Sequence, residues 1–143
     1  FFKFWFKFIF ENQEFVEQEK QDKLVDEKIM PEISAFVGRV FEEIALSEMI
    51  KSGKYRDYIF ARWWSKNKEV DIVGIDKGNK KILIGEVKFK KITKSEAVDV
   101  GKSLKEKAKE INTSNFQEKY VLVCLDCDFE FEDIEIIKLE RLK

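Results

Sequence analysis

One stretch of the chain, VDIVGIDKGNKKILIGEVKFK at residues 70–90, constrains the fold more than any other. β-Branched and aliphatic residues occupy most positions on either side of a short polar sequence, which is the pattern of two strands joined by a turn. If Gly78 and Asn79 form a two-residue turn of the II′ type, this turn also fixes which residues face each other across the hairpin. The sequence therefore predicts an antiparallel pair of strands with one defined register.

The predicted register brings two carboxylates together. Asp71 lies opposite Glu86, and Lys88 follows Glu86 on the same face of its strand. The other positions on this face are apolar and should be buried; they are Val73, Ile75, Ile82 and Ile84. The residues that point to the opposite face are Ile72, Leu83, Val87 and Phe89. Both faces are thus largely apolar, as expected for a central pair of strands that is covered on two sides.

Opposed acids in apolar surroundings are energetically unfavourable. Asp71 and Glu86 repel each other and lose hydration, so one of them should have a raised pKa when no cation lies between them. A divalent ion such as Mg²⁺ or Mn²⁺ is the simplest cation for this role, because hard ions prefer carboxylate oxygens and retain water. The alternative is structural ion pairing, in which Lys88 pairs with Glu69, its cross-strand partner in this register.

The rest of the chain predicts an α/β domain with its elements in the order α, β, β, β, α, β, β. Pro31 suits the first turn of a helix whose apolar residues recur at three- and four-residue spacing until Gly53, and Phe41 and Ile44 should cover part of the sheet. Thr93 forms a capping box with Glu96 at the start of a second helix. The predicted bounds are Lys94–Ile111 for that helix and Tyr58–Trp64, Val70–Asp76, Ile82–Phe89, Tyr120–Leu125 and Ile134–Leu139 for the strands.

The first ten residues, FFKFWFKFIF, form an aromatic helical segment with one narrow polar stripe from Lys3 and Lys7. A ten-residue helix spans only ~15 Å, against a bilayer core of ~30 Å, so no membrane partner is predicted. This segment is expected to be an interface, because so many apolar side chains exceed what an isolated helix leaves in water. Residues 11–30 are rich in charge and predict a weakly anchored helical linker.

Composition removes several classes of chemistry. The chain has no histidine, which excludes zinc sites built with histidine and Ser-His or Cys-His catalysis. The net charge is −1, so nucleic acid would have to bind at a local basic patch. Cys124 and Cys127 form a C-x-x-C pair that is interpreted as two half-buried thiols in a reducing cytosol, in preference to a redox pair. A cytoplasmic location follows from that interpretation.

The hairpin acids and lysine resemble the signature of PD-(D/E)XK nucleases, in which an acid on one strand precedes acid-x-Lys on the next. Asp71 matches the first acid, Glu86 the second, Lys88 the lysine, and Gly85 the small residue before the second acid. The family also carries a glutamate on the preceding helix, and in GRVFEEIAL this is Glu42, with Glu43 in reserve. The resemblance implies a restriction-endonuclease-like fold with an αβββαβ core, and Mg²⁺ or Mn²⁺ held by Asp71, Glu86 and Glu42. It further implies hydrolysis of DNA, as an endonuclease or a structure-specific nuclease, with Lys88 serving the attacking water or the phosphate.

A narrower likeness involves most of the chain. FKFWFKFIF, GRVFEEIAL, ARWW, KEVDIVGID and ILIGEVKFK together resemble the nuclease-like C-terminal domain of archaeal AAA+-type ATPases. This likeness implies an N-terminal segment and linker at residues 1–30, a nuclease-like domain at residues 31–143, and an ATPase module before Phe1. The partner of residues 1–10 would be that module or a second copy of the chain in a homodimer. The second helix lacks the glutamine that several nuclease families carry, which leaves Lys102 or Lys105 as its substitute.

Several functional assignments keep a structural alternative. Arg62, Trp63 and Trp64 either stack on nucleic acid or, as is more common for paired tryptophans, belong to the core. The lysines near the site either follow a phosphate backbone or form a solvated surface; those expected to contact nucleic acid are Lys66, Lys68, Lys90, Lys91 and Lys94, with Lys77, Lys80 and Lys81 at the hairpin tip. The chain as a whole is either a DNA nuclease or a catalytically silent regulatory or DNA-docking module of an ATPase.

Overall fold

A computed structural model of the chain describes residues 1–111 and 113–139; Asn112 and the last four residues of the expected 31–143 domain lie outside this description. Within it, five strands form one mixed sheet in the order β1-β2-β3-β4-β5. The first three strands are antiparallel, and β3, β4 and β5 run parallel. The strand bounds are Ile59–Ser65 (β1), Lys68–Asp76 (β2), Lys81–Lys91 (β3), Gln117–Asp126 (β4) and Glu135–Lys138 (β5).

Two helices accompany the sheet in the predicted order. Helix α1 (Met30–Lys51) precedes β1, and helix α2 (Lys94–Ala108) connects β3 to β4. The Thr93 side chain and Glu96 form the predicted capping box at the start of α2. The α/β class with a mixed central sheet and an additional N-terminal helical segment is confirmed.

The β2–β3 hairpin has the predicted register but a longer loop. Val73 pairs with Ile84 and Ile75 with Ile82, as expected. The predicted two-residue turn is wrong, because the pairing ends at Asp76 and Lys81 and residues 77–80 form a four-residue loop. Asp76 accepts hydrogen bonds from the backbone and side chain of Asn79, and Lys80 takes the left-handed backbone conformation. Lengthening the loop by one residue on each side leaves the register unchanged.

One face of the sheet packs on α1. Phe41, Ala45 and Met49 lie four residues apart on the helix and are buried against Ile72, Leu83 and Val87 of β2 and β3. The expectation for Phe41 is confirmed. The expectation for Ile44 is wrong, because that residue is 48% exposed and is not among the residues packed with Phe41 against the sheet.

The opposite face packs on α2. Leu104 and Ala108 lie against the apolar residues that were predicted to share a face with Asp71 and Glu86. Of these, Val73, Ile82 and Ile84 are buried and Ile75 is half-buried. The two helices therefore cover opposite faces of the same central strands, which explains why both faces of the hairpin are apolar.

Gly85 of β3 has no room for a side chain between its neighbours on β2 and β4. A β-carbon added there would stand 2.5 Å from a methyl carbon of Val121 and 3.3 Å from the β-carbon of Ile72. The small residue before Glu86 is therefore required by packing between β2, β3 and β4.

The chain divides into two compact units, Phe1–Arg39 and a second that begins at Val40. In the first unit, short helical segments follow one another from Phe2 to Ile29. Phe8 is buried and its ring contacts those of Phe4 and Phe36. The exposed aromatic residues of this unit are Phe1, Phe2, Trp5, Phe6 and Phe10. Among the described residues, no helix has the length and hydropathy needed to cross a membrane.

Candidate functional site

Asp71 lies at an irregularity in the sheet. Ala61 of β1 pairs with Val73 and Trp63 pairs with Val70, so β2 has one more residue than β1 between these two pairs. Such a β-bulge changes the direction of a side chain. The pairing of β2 with β3 ends nearby at Ile72 and Gly85, and the backbone N–H of Val87 donates to Asp71 Oδ2 at 2.8 Å. The Asp71 carboxylate is therefore anchored to the central strand.

The charge on Asp71 is poorly compensated. Burial raises its pKa, and the nearby negative charges of Glu86 and Glu42 raise it further. The hydrogen bond from Val87 and the charge on Lys88 act in the opposite direction but do not cancel these effects, and the pKa is about 6. The expectation that one of the two opposed acids has a raised pKa is thus confirmed for Asp71.

Glu86 has cationic partners on two sides. Its side chain is 14% exposed, and Lys88 Nζ lies 2.8 Å from Glu86 Oε1. Lys107 Nζ, from helix α2, lies 3.0 Å from Glu86 Oε2. Lys88 thus pairs with Glu86 and not with Glu69, the partner expected from structural ion pairing.

Lys88 is held in its charged form by the surrounding acids. Burial lowers its pKa, but the hydrogen bond to Glu86 and the charges of Glu86, Asp71 and Glu42 outweigh burial and raise the pKa. An ammonium is therefore available beside the two hairpin carboxylates.

Glu42 of α1 contributes its charge to this site while its carboxylate binds Arg62 of β1. The predicted helix acid is therefore close enough to affect the pKa of Asp71 and of Lys88. Its reserve, Glu43, lies on the same helix.

The donor set fits a metal ion in part. Among residues 1–111 and 113–139, no three or more carboxylate or cysteine groups are gathered into a cluster that could hold a metal. The three-carboxylate set of Asp71, Glu86 and Glu42 is therefore not assembled. Asp71 and Glu86 alone still fit Mg²⁺ or Mn²⁺, because such ions are often held by one or two carboxylates plus water and phosphate, and the charges of Glu86 and Glu42 help to raise the pKa of Asp71.

The protein family is shown by a match that covers most of the chain, including the hairpin acids and lysine of this site. A family model, DUF234, described as archaea bacterial proteins of unknown function, matches residues 5–100. The chain belongs to the DUF234 family. The match includes Asp71, Glu86, Lys88 and Glu42, whereas Lys107 lies beyond it.

This DUF234 member is also similar to a longer protein and to a solved structure. It is 27% identical over 128 residues to the uncharacterized protein MJECL04 of Methanocaldococcus jannaschii, a match over 86% of this chain and 28% of that protein. The chain thus spans less than a third of that relative's length. A crystal structure of a repair endonuclease from Pyrococcus abyssi aligns with a TM-score of 0.45 and 23% identity, over 68% of this chain and 46% of that one.

The lysines predicted to contact nucleic acid in this DUF234 member are exposed, and several already have acidic partners. Lys68 pairs with Glu110 and Lys90 with Glu96, while Lys91 pairs with Asp126 and Asp128. Lys66 lies in the β1–β2 turn and Lys94 is the first residue of α2. Exposed ion pairs of this kind contribute little to the free energy of folding. A DNA phosphate can therefore replace the acidic partner of such a lysine at a small cost in free energy.

Sequence reasoning missed the α2 residue that reaches the site. Lys102 and Lys105 were expected there, but Lys105 pairs with Asp133 and Lys102 is exposed, whereas Lys107 contacts Glu86. The available signal was spacing: Lys107 follows Val100 by seven residues, about two helical turns, and therefore lies on the same stripe of α2. A lysine at such a position needs an anionic partner within the fold.

The tryptophans and cysteines take different roles. Trp63 packs on the sheet core as the structural interpretation predicts, but Trp64 is 73% exposed, so the core interpretation is wrong for it.

Cys124 and Cys127 are free thiols and are more deeply buried than expected. Burial raises the pKa of Cys124 to about 12, which disfavours thiolate chemistry.

Proposed function

We propose that this chain is a PD-(D/E)XK nuclease-like domain that hydrolyses phosphodiester bonds of DNA with the help of Mg²⁺ or Mn²⁺. The observation that carries the proposal is the raised pKa of Asp71 beside Glu86 and Lys88 on one hairpin. A carboxylate that the fold itself does not neutralise, next to a second acid and a lysine, is the arrangement expected where a metal ion and a phosphate bind.

Each residue has a separate role in this proposal. Asp71 and Glu86 would hold the ion, with Glu42 contributing charge from α1. A bound divalent ion supplies a water of lowered pKa as nucleophile and neutralises charge on the phosphate. Lys88, released in part from Glu86, would orient that water or stabilise negative charge that develops on the phosphate oxygens. The raised pKa of Asp71 means that this carboxylate becomes available as a ligand as the pH rises through about 6.

The wider context of the proposal is a larger protein. We further propose that the chain is the C-terminal module of an archaeal ATPase; that it spans 28% of the length of the relative from Methanocaldococcus jannaschii supports a module of a longer protein. The exposed aromatic residues of the N-terminal unit would bind that ATPase or a second copy of the chain. Removal of residues 1–12 should leave the α/β unit folded and less associated, as measured by circular dichroism and light scattering.

A second candidate is a catalytically silent module that docks DNA or regulates an ATPase. The observation in its favour is that the other acids of the site already have cations from the chain itself. Glu86 binds Lys88 and Lys107, and Glu42 binds Arg62. A site that has lost its metal could be stabilised by such pairs.

One experiment separates these two functions. The chain is incubated with linear and branched DNA substrates and with Mg²⁺, Mn²⁺ or EDTA, and products are followed on denaturing gels. The nuclease predicts cleavage that needs the metal and that disappears in Asp71→Asn. Metal-independent binding with no cleavage by the wild-type chain favours the silent module.

A further inference from the structure

A surface hollow of about 360 Å³ lies beside the candidate site, between β2 and α2. It is lined by Lys68, Lys102, Ser103, Glu106 and Lys107. Lys107 links the hollow to the hairpin acids, because its ammonium lies 3.0 Å from Glu86 Oε2. The hollow therefore shares Lys107 with the candidate site, at which the proposed function has a phosphodiester cleaved.

Three lysines and one glutamate line this hollow, and two of the lysines pair with carboxylates, Lys68 with Glu110 and Lys107 with Glu86. Lys68 pairs with Glu110, and both side chains are more than a third exposed, so phosphate can replace this acid at little cost. Lys102 is exposed, and Ser103 adds a hydroxyl beside it. The carboxylate of Glu106 reduces the net positive charge of the lining, which contains three lysines and this one glutamate.

We propose that this hollow binds a backbone phosphate of the DNA strand next to the phosphate that is cleaved. The inference rests on the proposed nuclease function and names the route by which the strand approaches the site. Lys102 and Lys68 contact this phosphate, and Lys107 is shared between the hollow and Glu86. The chemistry is that of point charges on a concave surface, so this contact positions the strand and carries no information about base sequence.

The test measures how DNA binding depends on salt. Binding of a fluorescein-labelled DNA duplex is measured by anisotropy in EDTA, where no cleavage occurs, over a range of salt concentrations. Lys102→Gln should weaken binding and reduce the slope of log affinity against log salt by about 0.9, the value for one lost phosphate contact. Lys68→Gln combined with Lys102→Gln should reduce the slope by about twice that amount.

Lys105→Gln is the matched control. It removes the same charge from the same helix, but Lys105 Nζ lies 3.0 Å from Asp133 and does not line the hollow. Its salt slope should equal that of the wild-type chain. Circular dichroism checks that each variant is folded, which is expected because Lys102 and Lys105 are both exposed.

The outcomes distinguish this inference from the function on which it rests. If Lys102→Gln and Lys105→Gln change the slope equally, or if neither changes it, the hollow is not a phosphate site. Metal-dependent cleavage by the wild-type chain would still support the nuclease in that case. If the wild-type chain does not bind DNA in EDTA, the hollow is also rejected, and the cleavage assay decides the nuclease separately.

Discussion

Two partly buried carboxylates of the α/β unit show opposite electrostatic behaviour. At Glu135, burial opposes the charge, but hydrogen bonds from Lys119, Lys54 and Tyr55 outweigh it and lower the pKa to about 2. At Asp71, burial and the repulsion from Glu86 prevail, and the pKa is about 6. Both residues lie on strands of the same sheet. The difference shows that this fold compensates the charge of a partly buried acid fully at Glu135 and only in part at Asp71.

This contrast supports a distinction between an ion cluster that serves stability and the metal site that we propose at Asp71. A cluster that serves stability surrounds its anion with donors, as Lys54, Lys119 and Tyr55 surround Glu135. Asp71 accepts a neutral backbone N–H and faces a second acid. A divalent cation at this position would offset the repulsion that raises the pKa of Asp71.

The largest expected effect concerns Lys88. Lys88→Ala should reduce DNA cleavage by about 10²–10³-fold, because the ammonium that acts on the water or phosphate is lost. The metal should still raise the melting temperature, since the carboxylates remain. Single-turnover cleavage and thermal unfolding with Mn²⁺ are the two measurements. Loss of the metal-induced shift together with cleavage would mean that Lys88 serves mainly to hold Glu86 in place.

The next effect concerns the structural cluster. Glu135→Gln should lower the free energy of unfolding by about 1–2 kcal/mol, because Lys54 and Lys119 lose their shared anion. Urea unfolding measures this value, and Lys54→Gln, which changes a mostly exposed partner, should cost less than about 1 kcal/mol. A neutral result for Glu135→Gln would remove the distinction between the two acids.

A smaller effect of opposite sign is expected at the hairpin. In EDTA, Asp71→Asn should leave the protein as stable as the wild-type chain or more stable by up to about 1 kcal/mol, because the repulsion from Glu86 is removed. Urea unfolding at neutral pH checks this prediction. A strong destabilisation would place Asp71 with Glu135 as a structural acid.

The pH dependence of stability sharpens the same comparison. The pKa of Asp71 is raised from the ordinary aspartate value of 3.8 to about 6 in the folded protein, so the folded state binds the proton more tightly. Stability in EDTA should therefore decrease as the pH rises from about 4 to about 6, relative to Asp71→Asn. At Glu135 the pKa is lowered from 4.5 to about 2, so the stability from this acid is lost as the pH falls through that range. Urea titrations of the wild-type chain and both variants between pH 2 and 7 would resolve the two contributions.

Much of the fold could be predicted from the sequence because local patterns determine it. Alternating apolar residues and a polar turn fixed the register that brings Val73 to Ile84, even though the loop proved longer. The capping box at Thr93 marked the start of α2 correctly. The face of α1 that contacts the sheet was not determined in the same way, because Phe41, Ile44 and Ala45 are all apolar and only packing selects Phe41 and Ala45.

The candidate site was predicted in part for a similar reason. Asp71, Glu86 and Lys88 lie on neighbouring strands, where spacing alone indicates that they meet. Lys107 comes from a helix whose position over the sheet depends on side chains distant in sequence, such as the contacts of Leu104 with β2 and β3. The β-bulge beside Asp71 depends on how β1 pairs with β2, and the sequence carries no clear signal for it.

The central claim is that the charge on Asp71 is completed by a divalent ion. Thermal unfolding of the wild-type chain and of Asp71→Asn, each in EDTA and in excess Mn²⁺ at pH 7.5, tests this claim directly. An ion that binds the folded state stabilises it by about 2.7 kcal/mol at a hundredfold excess over Kd, so the wild-type melting temperature should rise by several degrees. The shift should vanish in Asp71→Asn and persist in Glu135→Gln. If the wild-type chain melts at the same temperature in EDTA and in excess Mn²⁺, Asp71 is not part of a metal site.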